Sequence, residues 1–196
     1  MKKGLVWLLS AFLFLITSPV FALYDISKTG QQTSYLGSDD GNLELGQEIP
    51  TPRFIDNDDG TITDELTGLI WIKDNYCANQ FISGASSNKW QDAFSFVNAL
   101  NNKTLVEPCE GYEWQFNDWR VPNIRELQSL VKYGMDNDTS ILTWLLLPGN
   151  ESTGFTNTTL AVNPIWSSST DASVTENAWA INLDNGQILS LNKSGN

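Results

Sequence analysis

The chain has 196 residues, and its 11 lysines and arginines against 23 aspartates and glutamates give a net charge of −12 at pH 7. Hydrophobic residues make up 41% of the chain and tryptophan occurs eight times, which indicates one folded acidic domain, or two small ones, rather than a disordered acidic tail. No lysine or arginine cluster follows residue 3, so the charge argues against nucleic-acid partners and sulfated polymers. Histidine is absent, which excludes histidine-based catalytic triads and histidine-ligated metals.

The first 22 residues have the pattern of an export signal. A positive start (Lys2 and Lys3) precedes an apolar stretch over residues 4–16, and residues 20–22 match a small-residue cleavage site. The apolar stretch is shorter than the ~20 residues that a membrane span needs. We therefore expect cleavage after Ala22, no membrane contact after cleavage, and an exported product in the periplasm or outside the cell.

Two regions of different character follow the signal. Residues 23–52 are polar and rich in glycine, which predicts an extended leader rather than a helix. From Arg53 onward, strand-like runs (RFID, TITDE and LIWIKD) alternate with turn signals such as Asp59-Gly60. This pattern predicts a β-meander at the start of the main domain, residues 53–196.

The first turn of this meander is acidic. An oxygen-rich loop is what Ca²⁺ binds, and export brings a protein to where calcium is abundant. The EF-hand spacing fails, however, because Ile55 and Leu66 occupy the positions of its two obligatory carboxylates. We favour a solvated hairpin turn and keep Asp56, Asp58 and Asp64 as the alternative, a calcium site; no other cofactor is predicted.

The next predicted element is a helix. Asn88 opens it with Gln91 as its capping-box partner, and Asn101-Asn102 ends it. Apolar residues recur along one face at helical spacing, namely Trp90, Ala93, Phe94, Val97 and Leu100. We expect this face to be buried.

Cys77 and Cys109 are the only cysteines, one on each side of this helix. An oxidising compartment outside the cytoplasm favours a disulfide between them. Closing a loop of 32 residues contributes about 3–4 kcal/mol by the chain-entropy model. A metal site would need more ligands nearby, and a cysteine nucleophile would need a base.

The segment DWRVPNIRELQ begins a second helix. Asn123 is its N-cap, Glu126 is at N3, and Gly134 is placed to stop it. Arg120 is close enough in sequence to reach the carboxylate of Glu126. Four residues here receive a structural role: Trp119, Arg120, Pro122 and Glu126.

Residues 135–164 are a long stretch rich in asparagine, threonine and glycine. Long irregular connections in compact domains are usually functional or disordered, so we expect any ligand site here. Trp144 and Trp166 are the candidate ligand-binding platforms, because aromatic rings combine a flat apolar face with a polar edge. The alternatives are surface variability for the loop and core packing for the tryptophans.

The last segments, IWSSST and AWAINLDNGQILSLN, predict strands. The second is a hairpin around Asn185-Gly186, which is a type I′ turn signal. Together with the meander and the two helices, these strands predict an α+β fold with a mainly antiparallel sheet.

In this order, several segments resemble a bacterial exported family that is named for the C-terminal domain of the collagen-like adhesin Lcl. The matching segments are PRFIDNDDGTITDELTGLIWIKD, WQDAFSFVNAL, DWRVPNIRELQSLVKYG, WSSST and AWAINLDNGQI. The piece DWRVPNIRE is also similar to a segment of C-type-lectin-like folds such as the sulfatase-modifying enzymes, which implies a C-type-lectin-like fold by analogy. The namesake adhesin domain binds sulfated polysaccharides through a basic surface, and the acidity of this chain argues against that ligand.

The resemblance and the composition together predict an exported, non-enzymatic binding or adhesion module for a carbohydrate or a surface protein. One alternative is a hydrolase that acts on extracellular polysaccharide through a carboxylate pair. Another is a structural component of the cell envelope. A glycan array beside a turnover assay separates these hypotheses.

The resemblance also implies an expectation about the last strand. Family members continue past the final hairpin into a strand that carries a Cys-Val pair, whereas this sequence ends at Asn196 and has Val97 where members often carry a cysteine. We expect residues 187–192 to be a sheet edge that is either exposed or covered by the leader. An exposed edge predicts self-association by strand addition.

Overall fold

The computed structural model describes residues 26–74, 77, 89–105, 109, 111–134, 148–149, 152–153, 155–156, 164–183 and 185–195. The predicted export signal lies outside these ranges, and within them no helix is long and apolar enough to cross a membrane. The elements in chain order are α1 (Asp40–Leu43), β1 (Phe54–Asp56), β2 (Thr61–Asp64), β3 (Leu69–Ile72), α2 (Trp90–Asn101), α3 (Ile124–Ser129), β4 (Pro148–Gly149), β5 (Ser152–Thr153), β6 (Ile165–Thr170), β7 (Asn177–Asn182) and β8 (Gln187–Asn192).

The first three strands form the predicted meander, an antiparallel sheet in the order β1-β2-β3. Gly60 in its first turn has a φ of +79°, and a Cβ atom there would lie 2.4 Å from the amide nitrogen of Tyr112. Only glycine satisfies both conditions. The close approach fixes the meander against the segment that follows α2.

A buried ion pair anchors this sheet. Arg53 is 2% exposed and Asp64 is fully buried. The Nε and Nη2 atoms of Arg53 each donate to one carboxylate oxygen of Asp64 at 2.8 Å, and Nη2 also donates to the Ser129 carbonyl at 2.8 Å. These bonds compensate the desolvation of both charges, and they tie the meander to the end of α3.

The last three strands form a second antiparallel sheet, β6-β7-β8, where the sequence predicts strands. The pairing of β7 with β8 closes at Asn182 and Gln187, so the hairpin loop has four residues. The expected two-residue type I′ turn at Asn185-Gly186 is therefore wrong. Gly186 instead has a φ of +72° and donates its amide to the Asn182 carbonyl at 2.7 Å, which closes the longer loop.

Asp171, directly after β6, holds the turn into β7. Its carboxylate accepts hydrogen bonds from the amide and hydroxyl of Ser173 at 2.9 and 2.6 Å, and from the hydroxyl of Ser190 on β8 at 2.6 Å. The hydroxyl bonds from Ser173 and Ser190 lower the pKa of Asp171 to about 2. The carboxylate is thus ionised at neutral pH, and it links the turn to β8.

Helix α2 lies where the sequence predicts it, but its start differs. The N-cap is Lys89 rather than Asn88, and the carboxylate of Asp92 accepts from the Lys89 amide at 2.9 Å. Asp92 therefore takes the capping role that the sequence assigns to Gln91. An anionic side chain suits this place because it also opposes the positive end of the helix dipole.

Helix α3 has the predicted N-terminus. The side chain of Asn123 accepts from the amides of Arg125 and Glu126 at 2.8 and 3.0 Å, and the carboxylate of Glu126 accepts from the Asn123 amide at 2.8 Å. The predicted stop at Gly134 is wrong, because the helix ends earlier, with Leu130 as its C-cap.

The leader is not extended throughout, because it contains the short helix α1. Asp39 caps this helix by accepting from the Asn42 amide at 3.0 Å. The Gly134 amide donates to the Thr29 carbonyl at 2.9 Å, and a Cβ atom at position 134 would lie 1.9 Å from the amide nitrogen of Gln31. Gly134 thus serves a close contact with the leader rather than a helix stop.

Two apolar clusters form the core. One fills the space between the two sheets and α3, and its fully buried members include Phe54, Ile62 and Ile181. The other surrounds Cys77 and Cys109, whose Cα atoms lie 5.0 Å apart in a disulfide, and this confirms the predicted pairing. Two antiparallel three-stranded sheets with short helices confirm the α+β fold class.

Candidate functional site

The described residues surround a cavity of about 550 Å³ beside the meander. Strand β3 forms one wall, and α2 forms the next with Ala93, Phe96, Val97 and Leu100. The expectation that the face with Trp90 and Phe94 is buried is wrong in part, because only Leu100 of that face is buried and the others are half-buried, with Ala93 and Val97 bordering the cavity. Residues 116–122, the start of α3 and residues 164–166 form the remaining sides. The volume is typical of sites that hold a small ligand.

Half-buried aromatic side chains dominate this cavity. They come from three elements and one irregular segment: Trp71, Phe96, Phe116, Trp119 and Trp166. Such rings present flat apolar faces, and tryptophan adds an N–H donor at its edge.

Trp119 has a fixed orientation because Tyr112 holds it. Its Nε1 donates to the Tyr112 hydroxyl at 2.6 Å, and the two rings meet edge to face with centroids 5.7 Å apart. The same hydroxyl bonds the main chain of Phe116 at 3.1 and 3.2 Å, and the Phe116 ring meets Trp119 edge to face at 5.6 Å. This part of the cavity wall is therefore rigid, and its polar atoms are satisfied within the protein.

Trp71 on β3 differs from Trp119 in this respect. Its Nε1 atom is buried and has no hydrogen-bond partner within the described chain. An unsatisfied buried donor costs about 1–3 kcal/mol, and native proteins contain few of them. Trp71 lines the cavity, but its Nε1 atom lies beneath the cavity surface. An acceptor oxygen in the cavity would satisfy this N–H group once a small rotation of the indole brings Nε1 to that surface.

An ion pair between Arg120 and Glu126 lies at the rim of the cavity. The Arg120 Nη1 atom donates to the carboxylate of Glu126 at 2.6 Å, so the structure brings together two residues that the sequence places within reach of each other. This hydrogen bond, with that from the Asn123 amide, lowers the pKa of Glu126. Glu126 is thus an ionised, helix-capping carboxylate rather than a proton donor at neutral pH.

Pro122 connects this rim to the second sheet. Its carbonyl accepts from the Ser168 amide of β6 at 2.8 Å, and the Ile124 amide donates to the Ser169 hydroxyl at 3.1 Å. These two bonds position Trp166, near the start of β6, on the far side of the cavity.

The sequence proposes Trp144 and Trp166 as ligand platforms. Trp166 lines the cavity, whereas Trp144 and most of residues 135–164 lie outside the described ranges. The sequence places Trp71 only within the predicted strand LIWIKD and gives no sign of its unsatisfied N–H group. No local signal identifies it, because the indole packs against the apolar cluster that the two sheets and α3 build from distant parts of the sequence.

The three calcium candidates lie in different surroundings. Asp64 is fully buried against Arg53. Asp56 pairs with Lys73 and accepts from the Asp58 amide at 3.0 Å. Burial opposes ionisation of Asp56, but the hydrogen bonds from Lys73 and Asp58 outweigh it and lower its pKa. Among the described residues no group of three or more acidic or cysteine side chains is placed to hold a metal ion, and calcium binding stays a prediction.

Comparison with known proteins places the chain in a family. No curated protein and no solved structure matches it, so the C-type-lectin-like fold stays an analogy. The family model described as the Lcl C-terminal domain matches residues 60–196, a range that contains β2 to β8, both cysteines and the aromatic residues of the cavity. The chain therefore belongs to the Lcl C-terminal domain family.

Proposed function

We propose that this chain is an exported, non-enzymatic binding module that holds a segment of an uncharged glycan in the cavity. The observation that carries the proposal is a cavity walled by aromatic rings, one of which, Trp71, has an N–H group without a partner among the described residues. A sugar ring offers an apolar C–H face to such rings and hydroxyl oxygens that accept from an indole N–H group.

The charge of the chain restricts the class of glycan. The net charge is −12. The described lining of the cavity has two cations, Lys89 and Arg120, against three carboxylates, and Arg120 is already paired with Glu126. A sulfated or carboxylated polymer would meet repulsion without a compensating basic surface. An uncharged glycan avoids this cost, so we propose it as the ligand class.

The hydrolase alternative has one observation in its favour, since Asp74, Asp118 and Glu126 all line the cavity. Glycoside hydrolysis needs one carboxyl group that is protonated before it donates to the leaving group. The lowered pKa of Glu126 makes it unsuited to that step. Asp74 and Asp118 then remain as candidate acids among the described lining residues. We propose binding without turnover, and the turnover assay below decides between the two.

A glycan array with neutral and sulfated polysaccharides tests the proposal directly. We expect binding to neutral glycans, and weaker binding by a Trp71→Phe variant, which keeps a ring but loses the donor. Trp90→Phe is the matched control, because its indole N–H group bonds the Ser167 carbonyl at 2.7 Å and does not line the cavity. Trp166→Ala removes one platform and should weaken binding as well.

A turnover assay on the glycans that bind accompanies the array. Release of reducing ends would overturn the non-enzymatic assignment and favour the hydrolase. Binding only to sulfated glycans would overturn the argument from charge. Absence of binding to all glycans by the folded protein would overturn the glycan proposal and leave a surface protein or a structural role in the envelope.

A further inference from the structure

Strand β8 is an edge of the second sheet. The amide of Lys193, just after β8, donates to the Glu176 carbonyl at 2.9 Å, in the same register as the pairing of β7 with β8. Antiparallel strands alternate between residues that bond each other and residues that do not. The backbone groups of Ile188, Ser190 and Asn192 therefore point away from β7, and we call them the free edge. One of them is already engaged, because the Asn192 carbonyl accepts from the Gly195 amide at 3.1 Å.

No other described segment covers the middle of the free edge. Within the described ranges, no backbone hydrogen bond reaches Ile188 or Ser190 from outside the sheet, and none comes from the leader. The opposite edge of the sheet is closed, because the Ser168 amide on β6 donates to the Pro122 carbonyl. A row of unpaired N–H and C=O groups is a template for another strand.

The sequence of β8 lacks the features that usually prevent such pairing. It reads QILSLN, with no charged residue and no proline, and its register with β7 runs without a bulge. Natural edge strands are commonly protected by lysine, proline or a bulge. We infer that the free edge pairs antiparallel with the free edge of a second copy of this chain, which joins two three-stranded sheets into one of six strands.

The strand is complementary to itself in one register. With Ser190 of both copies on the two-fold axis, Ile188 meets Asn192 of the second copy. The Ser190 groups pair with each other and the Asn192 amide pairs with the Ile188 carbonyl, while the Ile188 amide uses the second lone pair of the Asn192 carbonyl, whose first accepts from Gly195. On the other face of the sheet, Leu189 then meets Leu191 of the second copy. Both leucines are half-buried in one copy, and cross-strand apolar pairs stabilise a sheet. This match between identical surfaces is what a two-fold dimer requires, and it favours a second copy over an unrelated peptide.

The association is weak and depends on salt. A contact built on one six-residue strand belongs among small, transient interfaces. The full chain has a net charge of −12, and the exported form is more acidic still because it loses Lys2 and Lys3. The copies therefore repel each other at low ionic strength, and added salt screens this repulsion. The dimer should therefore strengthen as salt is raised, opposite to an association that ion pairs hold together.

Sedimentation velocity of the exported form over a range of concentrations tests this inference. We expect the sedimentation coefficient to rise with concentration, and to rise further at physiological than at low salt. Leu191→Lys places a cation beside the free edge in each copy and should give a monomer at every concentration. Val174→Lys adds the same charge at an exposed position in the turn before β7, and it should dimerise like the unmodified protein.

Crosslinking gives an independent result if Leu191→Lys fails to fold. A Ser190→Cys variant places a thiol on the two-fold axis, and a short bismaleimide should link two copies faster than it links a Val174→Cys control. Because the substitution also removes the hydroxyl that bonds Asp171 and Asn177, a Ser190→Ala variant is sedimented beside it and should still associate. Equal crosslinking of both cysteine variants, or a monomer at all concentrations and salts, would overturn the inference. Since no residue of β8 lines the cavity, either result leaves the proposed glycan binding to its own test.

Discussion

Replacing Trp71 and Trp90 by phenylalanine, one at a time, tests whether the Trp71 N–H group is truly unsatisfied in the unliganded protein. Both indoles are half-buried, and both substitutions remove the same atoms. The loss of buried apolar surface is therefore similar and cancels to first order when the two variants are compared. Trp90 also packs edge to face with Phe94 at 4.5 Å and lies under the Lys193 ammonium at 4.4 Å, contacts that a phenylalanine ring can keep in part. The main remaining difference is the fate of one hydrogen bond.

In Trp90→Phe, the fully buried Ser167 loses the donor that reaches its carbonyl at 2.7 Å. Leaving a buried acceptor unpaired costs about 1–3 kcal/mol. In Trp71→Phe no bond is lost, because Nε1 has no partner in the described chain. We therefore expect Trp90→Phe to lower the free energy of unfolding by about 1–3 kcal/mol more than Trp71→Phe does.

Urea unfolding followed by far-UV circular dichroism measures this difference, with equal m values as the check that both variants unfold from the same compact state. Equal losses for the two variants, or a larger loss for Trp71→Phe, would refute the reasoning. Such a result would mean that the Trp71 N–H group has an acceptor in the unliganded protein. This N–H group would then no longer support the proposal that the cavity binds a glycan.

Three further predictions concern stability and the leader. Asp64→Asn leaves the buried Arg53 guanidinium without its counter-charge and should lower the unfolding free energy by about 3–5 kcal/mol. Arg120→Ala breaks the more exposed pair with Glu126 and should lower it by about 1 kcal/mol or less. Urea titrations measure both values. The pKa of Asp171 is lowered from 3.8 to about 2, so its ionised carboxylate stabilises the fold above pH 3.8 and this contribution is lost as the pH falls toward 2. Asp171→Asn lacks this carboxylate. Between pH 3.8 and 2, the unfolding free energy of the variant should therefore fall less than that of the unmodified protein in an acid titration. Gly134→Ala should detach the leader and speed its limited proteolysis, whereas Gly37→Ala, where an added Cβ meets nothing within 4 Å, should leave the cleavage rate unchanged.

Local signals explain which parts of the fold the sequence predicts. The capping box of Asn123 and Glu126 acts within one helical turn, and the strands of the meander are joined by short turns. Both depend on neighbours in sequence, so their patterns are visible without tertiary contacts. The start of α2 shows the limit of this reasoning, because Asp92 and Gln91 are both plausible capping residues and only the backbone path decides between them.

Tertiary pairing explains what sequence reasoning misses. Asp64 has the sequence context of a solvated turn, and it is named above as a calcium candidate, yet Arg53 pairs with it in the core. The two residues lie on different strands, and nothing in their spacing identifies the pair. The cavity is missed for the same reason, since Trp71, Phe96 and Trp166 come from three elements that the fold brings together.

The region that the family model matches is not the whole of the packed unit. The match begins at residue 60, but β1 pairs with β2 along its full length, and the buried charge of Asp64 is compensated by Arg53 from before the match. Further upstream, the carbonyl of Thr29 in the leader accepts from the Gly134 amide. A Cβ atom at position 134 would collide with the amide nitrogen of Gln31 in the leader. A fragment that begins at residue 60 would thus lose a strand of the first sheet and the partner of a buried carboxylate. Binding and self-association should therefore be measured on a protein that retains residues 26–59.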